Sequence, residues 1–309
     1  KMWNGLVTVG EHVGFVWKDT RGMGTGNIWN NNLRSAFSAS PIIPVYDADG
    51  NYNSTVNSDW NVNDGNPYGN MMVNRYNNSK NGSLDANVYV QIEPIKNLRF
   101  KTVYGISYGA SEYRAYTPKY QFTPQTANTV SKVNQSHGHG LSMVWTNTLS
   151  YDFNIATEHH VNALIGSELS TYDGSNTEGS NTGLIPGFDD WDHAYLVNTN
   201  GTENKTVKGS PYDSTRGMSY FARLGWTWKE RYMVNATMRA DGSSKFAKGN
   251  RWGYFPSVSA GWTISEEKFM ESVKSWFDFL KIRVSWGQVG NANINCYQYL
   301  APVSTTNTN

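Results

Sequence analysis

Leu84-Asp85-Ala86-Asn87-Val88-Tyr89-Val90-Gln91-Ile92-Glu93 alternates apolar with polar residues from end to end. Successive side chains of a strand point to opposite faces, so this segment has one oily face and one wet face. The pattern returns in Met218, Tyr220, Ala222, Leu224, Trp226 and Trp228, and again in Tyr232, Val234, Ala236, Met238 and Ala240. Only Lys229-Glu230-Arg231 separates those two runs. Short turns on one side and long polar loops on the other are the arrangement of an outer-membrane β-barrel. Such a fold moves molecules through a pore rather than reacting them in a cleft.

Working outward, Asn4 to Trp17 reads as a strand, and Thr20 to Lys80 as an extended surface loop with one short helix near Ile28 to Phe37. Asp49-Gly50 and Asn66-Pro67 are turn signals within it. Pro94 to Asn97 turns the chain into a strand from Leu98 to about Tyr116. Loops are expected at Thr117 to Gly140 and Tyr172 to Arg216, on either side of strands marked by Leu141 to Phe153 and Val161 to Thr171. A medium loop covers Gly242 to Gly253, and Val258, Ala260, Trp262 and Ile264 mark one more strand. Phe269, Met270, Val273, Trp276, Phe277 and Leu280 fall at helical spacing, with Glu266 and Glu267 in the first turn. Leu280 to Gly287 is again alternating, which makes eight to nine strands in all.

Composition agrees. Charged residues are 17% of the 309, and aromatics reach 14%, with 12 Trp and 19 Tyr. Soluble domains carry roughly 25% charge, and so many rings suit a fold that seats them at membrane interfaces. A net charge of +1 gives no basic field for nucleic acid. Cys296 is the only cysteine, which excludes an internal disulfide framework and a multi-cysteine metal site. No run of about 18 apolar residues offers a transmembrane helix. The chain opens at Lys1 and closes in the polar Thr305 to Asn309, and reads as an internal piece of a longer polypeptide.

Several motifs carry possible chemistry. Gly105-Ile106-Ser107-Tyr108-Gly109 has the nucleophile-elbow pattern of serine hydrolases, which needs a sharp strand-to-helix turn. Here it lies within an alternating strand, and a chance match is the better reading. His137, His139, His159 and His160 lie in expected loops or turns without carboxylate or cysteine partners at ligand spacing, so they read as solvated. Asp47-Ala48-Asp49-Gly50 starts like a calcium loop but lacks its later ligands, so an Asp-Gly turn is expected. Gly22, Gly24 and Gly26 lack the context of a dinucleotide fingerprint. Asp189-Asp190-Trp191-Asp192-His193 has two open readings: carboxylates bonding ligand hydroxyls beside a stacking indole, or a solvated loop tip. With Tyr195, this segment is the candidate contact for cargo or for a covering protein.

Asn235-Ala236-Thr237-Met238-Arg239-Ala240-Asp241-Gly242-Ser243-Ser244-Lys245-Phe246 and Asn250-Arg251-Trp252-Gly253-Tyr254-Phe255-Pro256-Ser257-Val258-Ser259-Ala260-Gly261-Trp262 closely resemble the SusC/RagA-type TonB-linked outer-membrane proteins. Ser265 to Met270, Leu280 to Arg283, Ser285 to Asn291 and Pro94 to Leu98 fit the same family. The resemblance is looser before Leu84. It implies an all-β, antiparallel transmembrane barrel of about 22 strands around an N-terminal plug, with residues 1–309 part of that one barrel domain. On that reading the plug and the C-terminal strands lie outside this chain. It further implies TonB-dependent import of glycan or peptide nutrients across the outer membrane of a Gram-negative bacterium. The implied partners are a SusD-like surface lipoprotein lid, TonB-ExbB-ExbD acting through the plug, outer-membrane lipid, and a second transporter–lipoprotein pair. No catalytic residue, metal or cofactor is implied, and bound calcium in the loops is left open.

The residues support this independently. Arg239 and Asp241 sit two apart on the polar face and can pair in a lumen, whereas either alone is costly against lipid. The alternation sends Val88, Val90, Leu224, Val234 and Ile282 outward, and Asn87, Arg223, Asn235 and Arg283 inward. Pro256 cannot donate to a ladder, so it belongs at a bulge or near a strand end. One rival is a soluble β-sandwich, such as a carbohydrate-binding module or adhesin. The other is a hydrolase using Ser107 or the Asp189 to Asp192 cluster.

Overall fold

Alternation translates into strands that are longer than their apolar cores. The computed structural model describes residues 2–22, 32–41, 43–54, 56, 65–124, 126–273, 276, 278–296 and 298–300. Its strands are β1 (Val7–Arg21), β2 (Asn77–Ile95), β3 (Leu98–Thr117), β4 (Tyr120–Gln121), β5 (Ala127–Asn128), β6 (Lys132–Ile155), β7 (His159–Thr182), β8 (Thr206–Trp228), β9 (Tyr232–Ser243), β10 (Trp252–Thr263) and β11 (Lys281–Gly287). Nine of them form one sheet in the order β1-β2-β3-β6-β7-β8-β9-β10-β11, antiparallel throughout, and β4 and β5 make a separate two-stranded hairpin. This is an up-and-down meander. A β-sandwich is not what forms: the described residues contain no second large sheet to pack against the first.

Register shows how the two faces separate. Ile92, Phe100, Leu149, Ile165, Ala222 and Met238 are successive cross-strand partners, and so share one face. Two residues further along, Tyr151, Ala163, Leu224, Ala236 and Val258 continue that face. Between these rows, Arg99, Ser150, Leu164, Arg223, Thr237 and Ser257 line up on the other face. Val88, Val90, Leu224, Val234 and Ile282 all fall on the apolar face, and Asn87, Arg223, Asn235 and Arg283 on the polar one. Ile165, Leu224 and Ile282 remain 58%, 53% and 51% exposed. A soluble domain hides such a surface, whereas a barrel turns it to lipid. The buried core is accordingly small: Tyr116, Val133, Leu184 and Ala194, at the long-loop end.

The loops are shorter than the sequence suggests. β6 and β7 run for 24 residues each, more than twice the roughly 9–11 that cross a bilayer. The connections shrink to residues 118–131 and 183–205, because Gly-, Ser- and Asn-rich chain continues the ladder through its backbone. His137 and His139 therefore lie within β6, and His159 and His160 open β7, rather than lying in loops. Trp252 to Pro256 likewise belong to β10.

Tight turns close the opposite end at residues 96–97, 156–158 and 229–231. The expected helix from Glu266 to Phe279 is replaced by two 3-10 segments, Ile264–Glu266 and Lys268–Val273. Met270, Val273 and Trp276 are spaced by three, which suits a 3-10 turn as well as an α-helix; Phe277 lies outside the described residues. In the first long connection, α1 spans Asn32–Ser38, and 28–31 of the expected helix lie outside the described residues. An unforeseen α2, Pro67–Val73, starts at Asn66, whose side chain accepts the Gly69 N–H at 2.8 Å. Asn66-Pro67 is thus a helix cap rather than a turn.

Pro256 lies inside β10 opposite Met238 with no bulge, contrary to expectation. In a strand, the N–H and C=O of one residue point to the same edge. The Pro256 carbonyl accepts the Gln288 N–H at 2.9 Å, so its missing donor faces β11, just past the last ladder pair Ser257–Gly287. The β9 ladder loses nothing.

Candidate functional site

On the polar face, β9 presents Arg239 and Asp241 together, and Arg239 Nε donates to Asp241 Oδ1 at 2.7 Å. Arg239 Nη2 reaches Glu168 Oε1 on β7 at 3.3 Å and Ser219 Oγ on β8 at 3.1 Å. Thr146 Oγ1 on β6 donates to Glu168 Oε2 at 3.3 Å. One guanidinium thus ties three strands, with two carboxylates sharing its donors. Nearer the tight turns, Arg99 Nη1 stands 3.2 Å from Asp152, which also accepts from Asn162. Toward the long loops, the same face opens into a cavity of about 790 Å³ with Lys132, Asn134, Ser136, Glu178 and Lys208 in its lining. Lys208 pairs with Glu178 at 3.3 Å.

The segment Asp189 to Tyr195 lies on the other side of the sheet. Arg114 and Gln135 are cross-strand partners an even number of residues beyond Phe100 and Leu149, so they continue the apolar register. Arg114 Nη1 donates to the Trp191 and Ala194 carbonyls at 3.0 and 3.5 Å, and Gln135 Oε1 accepts the Leu196 N–H at 2.8 Å. The Arg114 guanidinium sits 3.8 Å from the Trp191 ring centroid and 4.2 Å from that of Tyr195. Tyr76 stacks on Trp191 at 6.2 Å. Tyr116 Oη donates to the Asp189 carbonyl and carboxylate at 3.0 and 3.2 Å. These contacts hold the loop in place, and they occupy both rings.

Asp189, Asp190 and Trp191 form one wall of a cavity of about 870 Å³, which Tyr195 does not line. Tyr46, Tyr52, Tyr120 and Phe122 supply aromatic surface, and Arg75 and Lys119 supply cations. Tyr46 and Tyr52 stack at 5.6 Å, and Tyr120 and Phe122 at 4.9 Å. Asp190 takes His193 Nδ1 at 2.8 Å and the His193 N–H at 2.9 Å, and these bonds hold its carboxyl below the usual range. Arg114, Tyr76, Tyr116 and the Tyr46–Tyr52 pair are absent from the sequence reading. Arg114, Tyr76 and Tyr116 meet partners far along the chain, and Tyr46 and Tyr52 meet because their loop folds back on itself, so no spacing signal could reveal them.

The remaining motifs take structural places. Ser107 lies mid-β3 on the polar face between Asp85 and Ser142, and no strand-to-helix turn is there to expose it as a nucleophile. Asp47 Oδ1 accepts the N–H groups of Asp49 and Asn51 at 3.0 and 2.8 Å, an Asx turn with Gly50 at φ +82°. His159 is stacked between the rings of Trp226 and Trp228, at 5.7 and 5.8 Å. Among the described residues, no cluster of His, Cys, Asp or Glu is placed to hold a metal ion.

No protein-family model matches the chain. The TonB-dependent receptor P26 of Formosa agariphila is 28% identical over 276 residues, 85% of this chain and 26% of the relative. The TonB-dependent receptor P39 of the same organism is 26% identical, over 96% of this chain and 27% of the relative. The TonB-dependent receptor SusC of Bacteroides thetaiotaomicron is 51% identical over 77 residues, 25% of this chain and 8% of SusC. The chain spans about a quarter of the length of the first two. Among solved structures, the RagAB peptide importer in its closed-closed state superposes with a TM-score of 0.78 at 20% identity, over 99% of this chain and 33% of that one. Its open-open state gives the same score over 98% of this chain. At that identity the likeness shows the fold alone.

Proposed function

The chain is a segment of a SusC/RagA-type TonB-dependent receptor, and from that premise we propose that the full protein imports nutrients across the outer membrane. The carrying observation is the two-faced wall: apolar rows on one side, and the Arg239–Glu168–Asp241 network on the other. Such a network is affordable in a lumen and costly against lipid. On this reading, residues 1–309 belong to one barrel domain that a plug and further strands complete. TonB-ExbB-ExbD would supply energy through the plug.

Cargo passes along the polar side, where the cavity beside Lys132, Glu178 and Lys208 offers amide, hydroxyl and charged groups to a glycan or an oligopeptide. The Asp189 to Tyr195 segment sits on the opposite register, and that favours contact with a SusD-like lipoprotein lid over contact with cargo in transit. Trp191 and Tyr195 set the loop's shape around Arg114, and the carboxylates of Asp190 and Asp192 present its exposed surface.

Deleting the full-length gene in its host should abolish energy-dependent uptake of a labelled glycan or oligopeptide, and the intact gene should restore it. Unchanged uptake across both cargo classes overturns import. Trp191→Ala should weaken lipoprotein co-purification while leaving the barrel assembled. Unchanged co-purification and uptake would remove this loop from the lid contact.

A further inference from the structure

The apolar face is not uniformly apolar. Thr102, Asn147, Ser167 and Tyr220 are successive cross-strand partners on it. Phe100, Leu149 and Ile165 flank this row on one side, and Tyr104, Trp145 and Leu169 on the other. Trp145 Nε1 satisfies Thr102 Oγ1 at 2.9 Å. The Asn147 amide and the Ser167 hydroxyl have no partner among the described residues. Exposed to hydrocarbon, both would keep an unmet hydrogen-bonding demand.

Both groups open into a groove of about 600 Å³, whose walls include Leu149, Ile165 and Met238. The groove exists because Ala222 and Ala240 are small, where neighbours in their rows are Ile165, Met238, Tyr220 and Tyr254. Tyr220 stacks on Trp252 at 6.1 Å, and rings of this kind mark the membrane–water boundary. The groove therefore starts beside an aromatic belt and runs into the apolar band. That is the shape of a lipid: polar linkage near the surface, chain below.

We propose that this groove seats one acyl chain of an outer-leaflet lipid, whose ester, amide or chain hydroxyl bonds Asn147 and Ser167. The chain would lie along Leu149, Ile165 and Met238. This rests on the proposed outer-membrane reading, in which the apolar face meets the bilayer, and on the rule that outer-membrane barrels keep their short turns in the periplasm.

The test uses the full-length receptor in mild detergent, delipidated and titrated with lipid A, whose acyl chains carry hydroxyls, or with phosphatidylethanolamine, while native mass spectrometry counts bound lipid. Wild type should retain one lipid A per barrel in preference to phosphatidylethanolamine. Ala222→Trp, which fills the groove, should abolish that retention. Asn147→Leu with Ser167→Ala should weaken it about tenfold, as expected for two lost hydrogen bonds. Heat-modifiable migration confirms that each barrel is folded, and the double variant carries the test if Ala222→Trp misassembles. Equal retention in all three proteins overturns the proposal, as does a preference for phosphatidylethanolamine. So does an Ala222→Trp receptor that changes from dimer to monomer with its lipid intact, since a second copy would then be the occupant. Nutrient uptake, measured separately, should be unchanged in these variants; a wild type without uptake would fail the import reading and leave the lipid result standing.

Discussion

Single residues in this wall are decided by which face they occupy. Arg239 is tolerated because Asp241, Glu168 and Ser219 meet its donors at 2.7 to 3.3 Å on the polar face. Val234 and Asn235 are adjacent, with opposite orientations. Val234 lies on the lipid face only two residues from Tyr232 at the tight-turn end, so Val234→Arg should cost about 1–2 kcal/mol of barrel stability, between the interfacial and midplane values, while Asn235→Arg should be close to neutral. Heat-modifiable folding of the full-length protein measures both, and equal losses would reverse the assignment of faces. Asp190 gives a pH prediction. His193 holds its carboxyl below the ordinary value, so the bond contributes to loop order above an unfolded pKa of about 3.9 and is lost as pH falls through the lower folded value. Cleavage of the 183–205 loop by pepsin should therefore stay slow down to about pH 4 and rise below it. Asp190→Asn should remove that pH dependence, and a loop equally cleaved at every pH would show that the contact does not order it.

At the scale of elements, apolar alternation located every strand of the main sheet but not where the strands stop. Leu141 to Phe153 marks the part of β6 where apolar side chains alternate, while Lys132 to Gly140 holds a single large apolar residue, Val133, and so leaves no alternation to read. The 3-10 connector is opaque for a different reason. Glu267 accepts from Tyr232 Oη, from Trp262 Nε1 at 3.1 Å and from Arg231 at 3.4 Å, so tertiary bonds set the local backbone. The 229–231 turn was legible, yet its strain was not: Lys229 and Glu230 adopt φ of +51° and +58° without being glycine. A left-handed non-glycine residue costs roughly 1–2 kcal/mol, so Glu230→Gly should raise stability by part of that, about 0.5–1 kcal/mol after glycine's entropy loss. Glu230→Val should lower it. Thermal unfolding of the full-length receptor in detergent would show this, and a destabilised glycine variant would mean that the side chain matters more than the turn.

For the molecule as a whole, the question is which end faces out. The tight-turn end carries a run of stacked rings, with Trp228 on Tyr232 at 5.3 Å and Tyr232 on Trp262 at 6.3 Å, anchored by Glu267 and by Glu158, which accepts from Trp228 Nε1 at 3.3 Å. An aromatic belt directly beside short turns leaves almost no chain beyond the bilayer there. At the other end β6, β7 and the 183–205 loop extend well past the apolar rows and fold around Arg114. Outer-membrane barrels keep short turns in the periplasm and long loops outside, so the Arg114 loop should be extracellular. In a Cys296→Ser background, an impermeant maleimide should label Val197→Cys on intact cells, since Val197 is 84% exposed. It should reach Glu230→Cys only after the outer membrane is permeabilised. Labelling of position 230 but not 197 on intact cells would invert the orientation, moving the proposed lid contact to the periplasm and the lipid groove to the inner leaflet.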